Sequence, residues 1–380
     1  MKEITLSQFK EKNQDDFLLV DIRDEGSILY GIIPGAINIP AAMFDEDLEA
    51  AIGKLDKSRE IIIYCQRGEK SKDLAELLES KGFDSLSLIG GYNAFLMELM
   101  DEKEDEDYQE KAELSIRKKF HKAIFSPFAK ACKTYDLIQD GDHIAVCISG
   151  GKDSMLMAKL FQEIQRHKKV KFDLTFLVMD PGYNSENRAL IEKNAKRLGI
   201  PVTIFESSIF DAVDTIEKSP CYLCARMRRG HLYSKAKELG CNKIALGHHY
   251  DDVIETILMG MLHGGQIQTM MPKLHSTNFE GMELIRPLYL IREEDICKWR
   301  DYNGLHFLQC ACHFTETCST CHEDGTTASK RLETKKLIAK LKETSPYIEG
   351  NIFKSVENVN LSTVIAYKKD GVKHHFLDEY

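Results

Sequence analysis

Ser149-Gly150-Gly151-Lys152-Asp153-Ser154 constrains this chain more than any other stretch. It follows the apolar run His143–Ile148. It also opens a pattern in which Met155, Leu156, Ala158, Leu160 and Phe161 are apolar, the spacing of a helix lying on a sheet. Strand, glycine turn and helix together direct backbone N–H groups and the positive end of a helix dipole at an anion. Gly150 and Gly151 permit close backbone approach, Lys152 adds a point charge, and Ser149 and Ser154 offer hydroxyl donors. A phosphate chain is the ligand such a loop predicts. The spacing is not that of a Walker A loop, which has four residues between its first glycine and its Gly-Lys pair.

At 380 residues the chain is long enough for two or three domains with real cores. No stretch approaches the ~18 uninterrupted apolar residues of a membrane span, and Met1-Lys2-Glu3-Ile4 does not open a signal peptide. A cytoplasmic chain with no membrane role is expected. Eleven cysteines in that compartment point to metal, persulfide or redox chemistry rather than to a disulfide framework. Charge is uneven along the chain. Residues 1–112 hold 13 Lys/Arg against 26 Asp/Glu, net −13, and the remainder hold 38 against 34, net +4. An acidic front joined to a mildly basic back is compatible with nucleic acid touching the back alone.

The front reads as a small α/β unit over residues 1–100. Strands are expected at Phe17 to Ile22, Ile61 to Tyr64 and Ser85 to Ile89, with a helical face of Leu74, Ala75, Leu77 and Leu78 between the last two. Cys65 stands at a strand end, before a glycine-containing loop and a helix N-terminus, with Arg67 and Lys70 close in sequence. That setting stabilises a thiolate or persulfide, whereas a buried strand-end cysteine would be inert. A phosphatase built on such a loop would need Arg six residues after the cysteine to grip phosphate bidentately, and that position is Ser71. Sulfur carriage is the better reading. The acidic run Asp101 to Asp107 begins a linker, residues 101–112, that would let this unit swing sulfur toward a second site.

Residues 113–142 are expected to be largely helical, with Ile116, Phe120, Ile124, Phe128 and Ala131 on one face. Strands at 143–148, 173–179, 201–205 and 243–247, with helices between, predict a doubly wound parallel sheet over 113–330, with 331–380 extending it. Ligands bind at the carboxyl ends of such strands. Asp180, His248, His249, Asp251 and Asp252 fall there, the aspartates as candidates for Mg²⁺ or nucleotide, or as helix caps. Cys132, Cys147, Cys241 and Cys297 read as small buried hydrophobes. Cys221-x-x-Cys224, before Arg226, Arg228 and Arg229, has the spacing of a shared metal, a cluster or a redox dithiol. A second group, Cys310, Cys312, Cys318 and Cys321 with His313 and His322, favours metal.

The front resembles a rhodanese domain through Asp21-Ile22-Arg23, Gly31-Ile32-Ile33-Pro34-Gly35-Ala36, the Cys65 loop, and Gly90-Gly91 with Phe95. Ile32 stands where that family usually has His. The back resembles the tRNA 2-thiocytidine synthetase family of PP-loop (adenine nucleotide alpha hydrolase-like) ATP pyrophosphatases. The residues that carry this run from Gly141-Asp142 through Ser149–Ser154, then Pro220-Cys221-Tyr222-Leu223-Cys224 with Arg228-Arg229-Gly230, and Leu246-Gly247-His248-His249 with Asp251-Asp252. Gly264-Gly265, Met271-Pro272-Lys273-Leu274 and Gly350-Asn351-Ile352-Phe353 complete it. The resemblance implies a 4Fe–4S cluster on three cysteines with one iron open to hold sulfur. Cys221 and Cys224 are two ligands, and Cys310 is the third, with Cys312 its rival. Cys318 and Cys321 form a second candidate site, for structural Zn²⁺, sulfur relay or neither, and zinc across all six cysteines stays open.

These readings predict an ATP-dependent tRNA sulfurtransferase. ATP and Mg²⁺ bind at Ser149, Gly150, Gly151, Lys152, Asp153 and Ser154, with Asp180, His248, Asp251 and Asp252 around them, and Lys152 and Asp153 act in catalysis. A base carbonyl, most simply cytidine C2, is adenylated and its oxygen replaced by sulfur delivered as persulfide from Cys65. The upstream donor is a cysteine desulfurase or thiosulfate, and a homodimer is left open. Arg226, Arg228, Arg229 and the lysine-rich 330–342 segment are candidate tRNA phosphate contacts, the latter equally a solvated helix face. The alternatives are another tRNA base, a small molecule, or a non-catalytic persulfide carrier or redox sensor.

Overall fold

The computed structural model describes residues 3–28, 31–101, 108–183, 185–207, 220–307, 330–378 and 380. Five strands, β1 (Glu3–Ile4), β2 (Phe17–Asp21), β3 (Ile37–Asn38), β4 (Glu60–Tyr64) and β5 (Ser85–Leu88), make a parallel sheet in the order β1-β5-β4-β2-β3. Ile61, Ile62, Ile63 and Tyr64 of β4 have no exposed surface, as a central strand covered on both faces requires. Helix α1 (Lys70–Ser80) lays Leu74, Ala75 and Leu78 on that sheet.

The second sheet contains β6 (His143–Ile148), β7 (Asp173–Asp180), β8 (Val202–Glu206), β9 (Lys243–Ala245), β10 (Lys273–His275) and β11 (Glu283–Ile285). Their order is β10-β11-β9-β6-β7-β8, and every pairing is parallel except β10 with β11. Around it lie α2 (Tyr108–Arg117), α3 (Lys152–Arg166), α4 (Ser185–Arg197), α5 (Pro220–Glu238), α6 (Tyr250–Gly264), α7 (Glu293–Tyr302), α8 (Lys330–Thr344) and α9 (Ile348–Ser355). The chain runs outward from β6 through β7 to β8, then returns to place β9 on the other side of β6. The carboxyl ends of β6 and β9 therefore flank a topological switch point, where an open sheet leaves a crevice. A cavity of about 630 Å³, lined by His121, Phe125, Cys132, Ile164, Val170 and Phe172 among others, lies toward the opposite, amino ends of β6 and β7. A small hairpin, β12 (Ala366–Lys369) with β13 (Val372–His375), follows α9.

The stretch 113–142 is largely helical, as its pattern predicts, though not as one continuous helix: α2 ends at Arg117, His121–Phe125 forms a π-turn, and a separate helix runs Ser126–Thr134. The N–H groups of both Ile124 and Phe125 point back at the Phe120 carbonyl, which accommodates the extra residue. The front unit does not stand apart on a swinging tether. Tyr92 and Leu96 share one continuous core with Tyr108, Ile116 and Leu198. Asn93 Nδ2 donates to Asn187 Oδ1 at 3.2 Å in buried surroundings, and Lys336 pairs with Glu25 across the surface at 3.0 Å. No described helix is long and apolar enough to cross a membrane.

Candidate functional site

The loop between β6 and α3 turns on Gly150, whose φ of 86° is left-handed backbone that a side chain would strain. Gly151 caps α3 and brings no side-chain acceptor to its first turn, where the N–H groups of a helix lack intrahelical partners. Ser154 is spent on the loop itself: its Oγ donates to the Gly151 carbonyl at 3.0 Å and accepts from Ser149 N at 3.1 Å. The loop is thus held open from inside, and its backbone donors remain for an anion.

Lys152 is 2% exposed, with Nζ 3.2 Å from Asp153 Oδ2 and 3.1 Å from Glu293 Oε1. Glu293 in turn meets Lys335 Nζ at 2.5 Å. Burial pushes the Glu293 carboxyl up, but Lys152, Lys335 and His249 outweigh it and hold the group at about 2. Asp153 Oδ1 is buried and has no hydrogen-bond donor. An ionised carboxylate oxygen left so is a fit for a bound cation.

The β9 end contributes the second wall. His249 caps α6: its Nδ1 accepts from Asp252 N at 3.4 Å, and Asp252 Oδ2 accepts from His249 N at 3.0 Å. Asp251 accepts from Glu293 N at 2.7 Å and pairs with Arg292 at 3.1 Å, while Asp252 pairs with Arg331 at 2.5 Å. His248 is the histidine left without a structural task. Its Nδ1 is buried and unpartnered, and burial above all pushes the imidazole down to about 4. Asp180, at the end of β7, closes a turn: Oδ1 accepts from Gly182 N and Tyr183 N at 2.9 and 2.6 Å, and Oδ2 from Arg188 at 3.1 Å.

Glu293 was not legible as a site residue, and Arg331 and Lys335 were legible only as candidate RNA contacts within the 330–342 segment. Cations of the lysine-rich segment face this protein's own carboxylates, with Lys342 on Glu349 at 3.1 Å completing the set. One consequence is measurable. Glu255, on α6 beside Arg331, is raised from 4.5 to about 7, by burial first and by Asp252, against Arg331, Lys335 and His249. The folded chain therefore holds a proton that the unfolded chain releases, and stability falls as pH rises from 4.5 to 7. Glu255→Gln is expected to flatten that fall and to give a higher Tm than wild type at pH 8. A thermal melt series across pH, with an unchanged slope in the variant, would reject the assignment.

In the front unit, Gly68 N donates to Cys65 Sγ at 3.1 Å and Ser71 Oγ lies 3.6 Å away. Ser71 is fully buried and bonded to Ser87, so the position that a phosphatase would give to arginine is part of the floor. Gly91, with φ 55°, lies under the loop: a Cβ there would sit 2.3 Å from the Cys65 carbonyl oxygen. Asp21 and Arg23 form a buried bidentate pair. Arg23 also donates to the Gly31 carbonyl at 2.7 Å and stacks 3.7 Å over the Tyr92 ring, while Tyr64 OH accepts from Ile33 N at 3.1 Å. These contacts explain why Asp21-Ile22-Arg23 and the Gly31–Ala36 segment travel together.

Cys132, Cys147 and Cys241 are buried and Cys297 is half-buried, and burial pushes the Cys132 and Cys147 thiols up to about 12. Positions 221 and 224 lie one turn apart at the start of α5, and the helix packs against β7 and β9. The side chains of Cys221, Cys224 and Arg226, and all of Cys310, Cys312, Cys318 and Cys321, fall outside the described residues. Among the described residues no group of three or more His, Cys, Asp or Glu is arranged to hold a metal ion, and nothing there supports Zn²⁺.

Comparison with known proteins agrees with both halves. A family model described as a PP-loop domain matches residues 117–312, and a rhodanese-like domain matches residues 5–98. The tRNA-cytidine(32) 2-sulfurtransferase of Aliivibrio fischeri (strain MJ11) is 40% identical over 198 residues, 50% of this chain and 63% of its own length. The chain thus spans just under two thirds of that relative. The protein of the same name from Pelobacter propionicus is 32% identical over 268 residues, covering 70% of this chain and 94% of its own. Among solved structures, the U34-tRNA thiolase NcsA from Methanococcus maripaludis, which holds a 4Fe-4S cluster, aligns with 61% of this chain and 76% of its own at 23% identity and a TM-score of 0.48. With just over half its length in the first model, the chain belongs to the PP-loop family, alongside the tRNA-cytidine(32) 2-sulfurtransferases, and carries a rhodanese-like domain ahead of its nucleotide half.

Proposed function

We propose that this chain is an ATP-dependent tRNA sulfurtransferase that adenylates a base carbonyl and replaces its oxygen with sulfur, cytidine C2 being the favoured target. One observation carries the reading. The start of α3, with buried Lys152 in it and no side-chain cap on Gly151, opens into the β6–β9 crevice, and the helix bearing Cys221 and Cys224 packs on β9, which borders it, and on β7. The names of the two relatives supply the nucleic acid and the base.

The chemistry follows from what leaves. A carbonyl oxygen is a poor leaving group, so it first attacks the α-phosphate of ATP and pyrophosphate departs. The oxygen then leaves as part of AMP. The first-turn N–H groups of α3 and Lys152 stabilise charge that builds on the phosphates during the first displacement. Asp153, with its unpartnered Oδ1, would hold Mg²⁺, which neutralises the triphosphate. Cys65 carries sulfur as a persulfide from a cysteine desulfurase or thiosulfate, held under the Gly68 N–H, and two thiols from an external reductant release the outer sulfur as sulfide, leaving the Cys65 thiol and one disulfide of the reductant. A 4Fe–4S cluster on Cys221, Cys224 and either Cys310 or Cys312 would supply a site for bound sulfide beside the activated base. Asp180, Asp251 and Asp252 shape the crevice, through the turn and the ion pairs described above.

The test is anaerobic. Purified chain, reconstituted with iron and sulfide, is expected to convert ATP to AMP only with tRNA present, and tRNA from a deletion strain is expected to lack one thionucleoside by mass spectrometry. AMP formation with tRNA but an unchanged thionucleoside profile would move the target to another acceptor. No AMP with any RNA would leave a persulfide carrier.

A further inference from the structure

Arg286 is a buried cation with no carboxylate in ion-pair contact among the described residues. It follows β11 directly, at the carboxyl end of a strand paired in parallel with β9, and is 6% exposed. One guanidinium nitrogen, Nη1, donates to the Met271 carbonyl oxygen, while Nε is buried with no acceptor. Among the described residues no carboxylate lies within ion-pair distance of it. Lys152, Arg188, Arg292, Arg331 and Lys335 in the same half each meet at least one. Burial and the nearby Arg229 guanidinium push Arg286 down to about 10, so it stays charged at neutral pH. Arg229 comes from α5 and is exposed. The neighbouring strand end supplies His248, whose Nδ1 is likewise buried and unpartnered. Two orphaned polar atoms and two like charges at one strand edge are costly unless an anion arrives between them.

We propose that Arg286, Arg229 and His248 form a binding site for a phosphate group, separate from the glycine loop. β11 and β6 are two places apart in the sheet, so this site stands about 10 Å to the side of the loop. One phosphate chain wrapped on the start of α3 does not need both. The incoming group is a phosphodiester of the RNA that presents its base to the crevice, or the far end of the nucleotide's phosphates. For this choice we rely on the thiolation reading above, whereas the unneutralised charge stands without it.

The experiment uses the full chain in buffer free of phosphate and sulfate, with inorganic pyrophosphate and a synthetic tRNA anticodon stem–loop as probes. Arg286→Met keeps the volume and removes the charge. Its Tm without anion is expected to equal or exceed that of wild type, and its affinity for one of the two probes to fall at least tenfold. Arg229→Ala, at an exposed position, is expected to weaken the same probe with Tm unchanged. Loss confined to pyrophosphate assigns the site to the nucleotide. Loss confined to the stem–loop, with the salt dependence of binding reduced by about one phosphate contact, assigns it to the RNA backbone. A lower Tm for Arg286→Met with both affinities intact would overturn the proposal and make Arg286 a brace for Met271. Wild-type chain that binds a probe yet forms no AMP would overturn the thiolation reading and leave this site standing.

Discussion

Lys152→Met is expected to cut AMP formation about 100- to 1,000-fold in kcat, the usual loss when one preorganised donor to a developing charge is removed. Methionine follows the same path through the interior, so the change removes charge and little volume. Lys152 lies 2% exposed between Asp153 and Glu293, and its charge is the strongest of those that hold Glu293 at about 2 against burial. Without it, Glu293 keeps Lys335 alone at 2.5 Å. Stability should therefore fall by less than the 3–5 kcal/mol, roughly, that follows orphaning a buried charge. That loss should appear in full above about pH 4.5 and shrink as pH falls toward 2, since a carboxyl held at about 2 stabilises the fold above its ordinary value and surrenders the contribution as it takes up a proton. Radiolabelled AMP release under saturating ATP separates the outcomes. Turnover within about threefold of wild type would mean that Lys152 braces the loop and does not act on phosphate.

Cys65→Ala is expected to split by sulfur donor. With a persulfide donor or thiosulfate the variant should be inactive, and with inorganic sulfide it should match wild type, because sulfide needs no carrier. The all-or-none form follows from the fold. Cys65 is as buried as Cys132, Cys147 and Cys241, but it alone of the four stands at the end of β4 with the Gly68 N–H on its sulfur, whereas burial pushes the Cys132 and Cys147 thiols up to about 12. The mutation itself is mild. Cys65 is 3% exposed and its sulfur receives one backbone and one hydroxyl contact, so Tm should hardly move. Equal loss with both donors would make Cys65 structural, and equal activity with both would remove it from sulfur supply. Gly91→Ala offers a harsher companion, since its Cβ would meet the Cys65 carbonyl at 2.3 Å and force the whole loop to move.

Much of the architecture is written in local pattern. β6 and β7 coincide with mainly apolar runs, and the glycine loop sits where its motif puts it. The short β10 and β11 are invisible by the same logic. They hold three residues each, and Lys273, His275 and Glu283 give them no apolar signature, yet β11 is what delivers Arg286. The π-turn has a trace in the sequence. Ile116, Phe120, Ile124 and Phe128 recur every four residues, and a straight α-helix would rotate such a stripe by about 40° at each step. An extra residue in one turn absorbs that drift and keeps the buried face in line. The charge network was beyond sequence altogether. Glu293 is 141 positions from Lys152, and Arg331 is 79 from Asp252, so the long-range fold alone pairs them.

The contact between the two halves has a consequence for what counts as one molecule. Asn93 reaches Asn187, Gln66 beside Cys65 reaches Asn93 at 2.6 Å, and a single apolar core runs through both sheets. A protease cut within the acidic run Asp101 to Asp107 would leave two fragments that stay together, as the pieces of a split protein do. Supplied as separate chains, the halves would find each other by the same surface, and the peptide link would serve mainly to set their ratio at one to one.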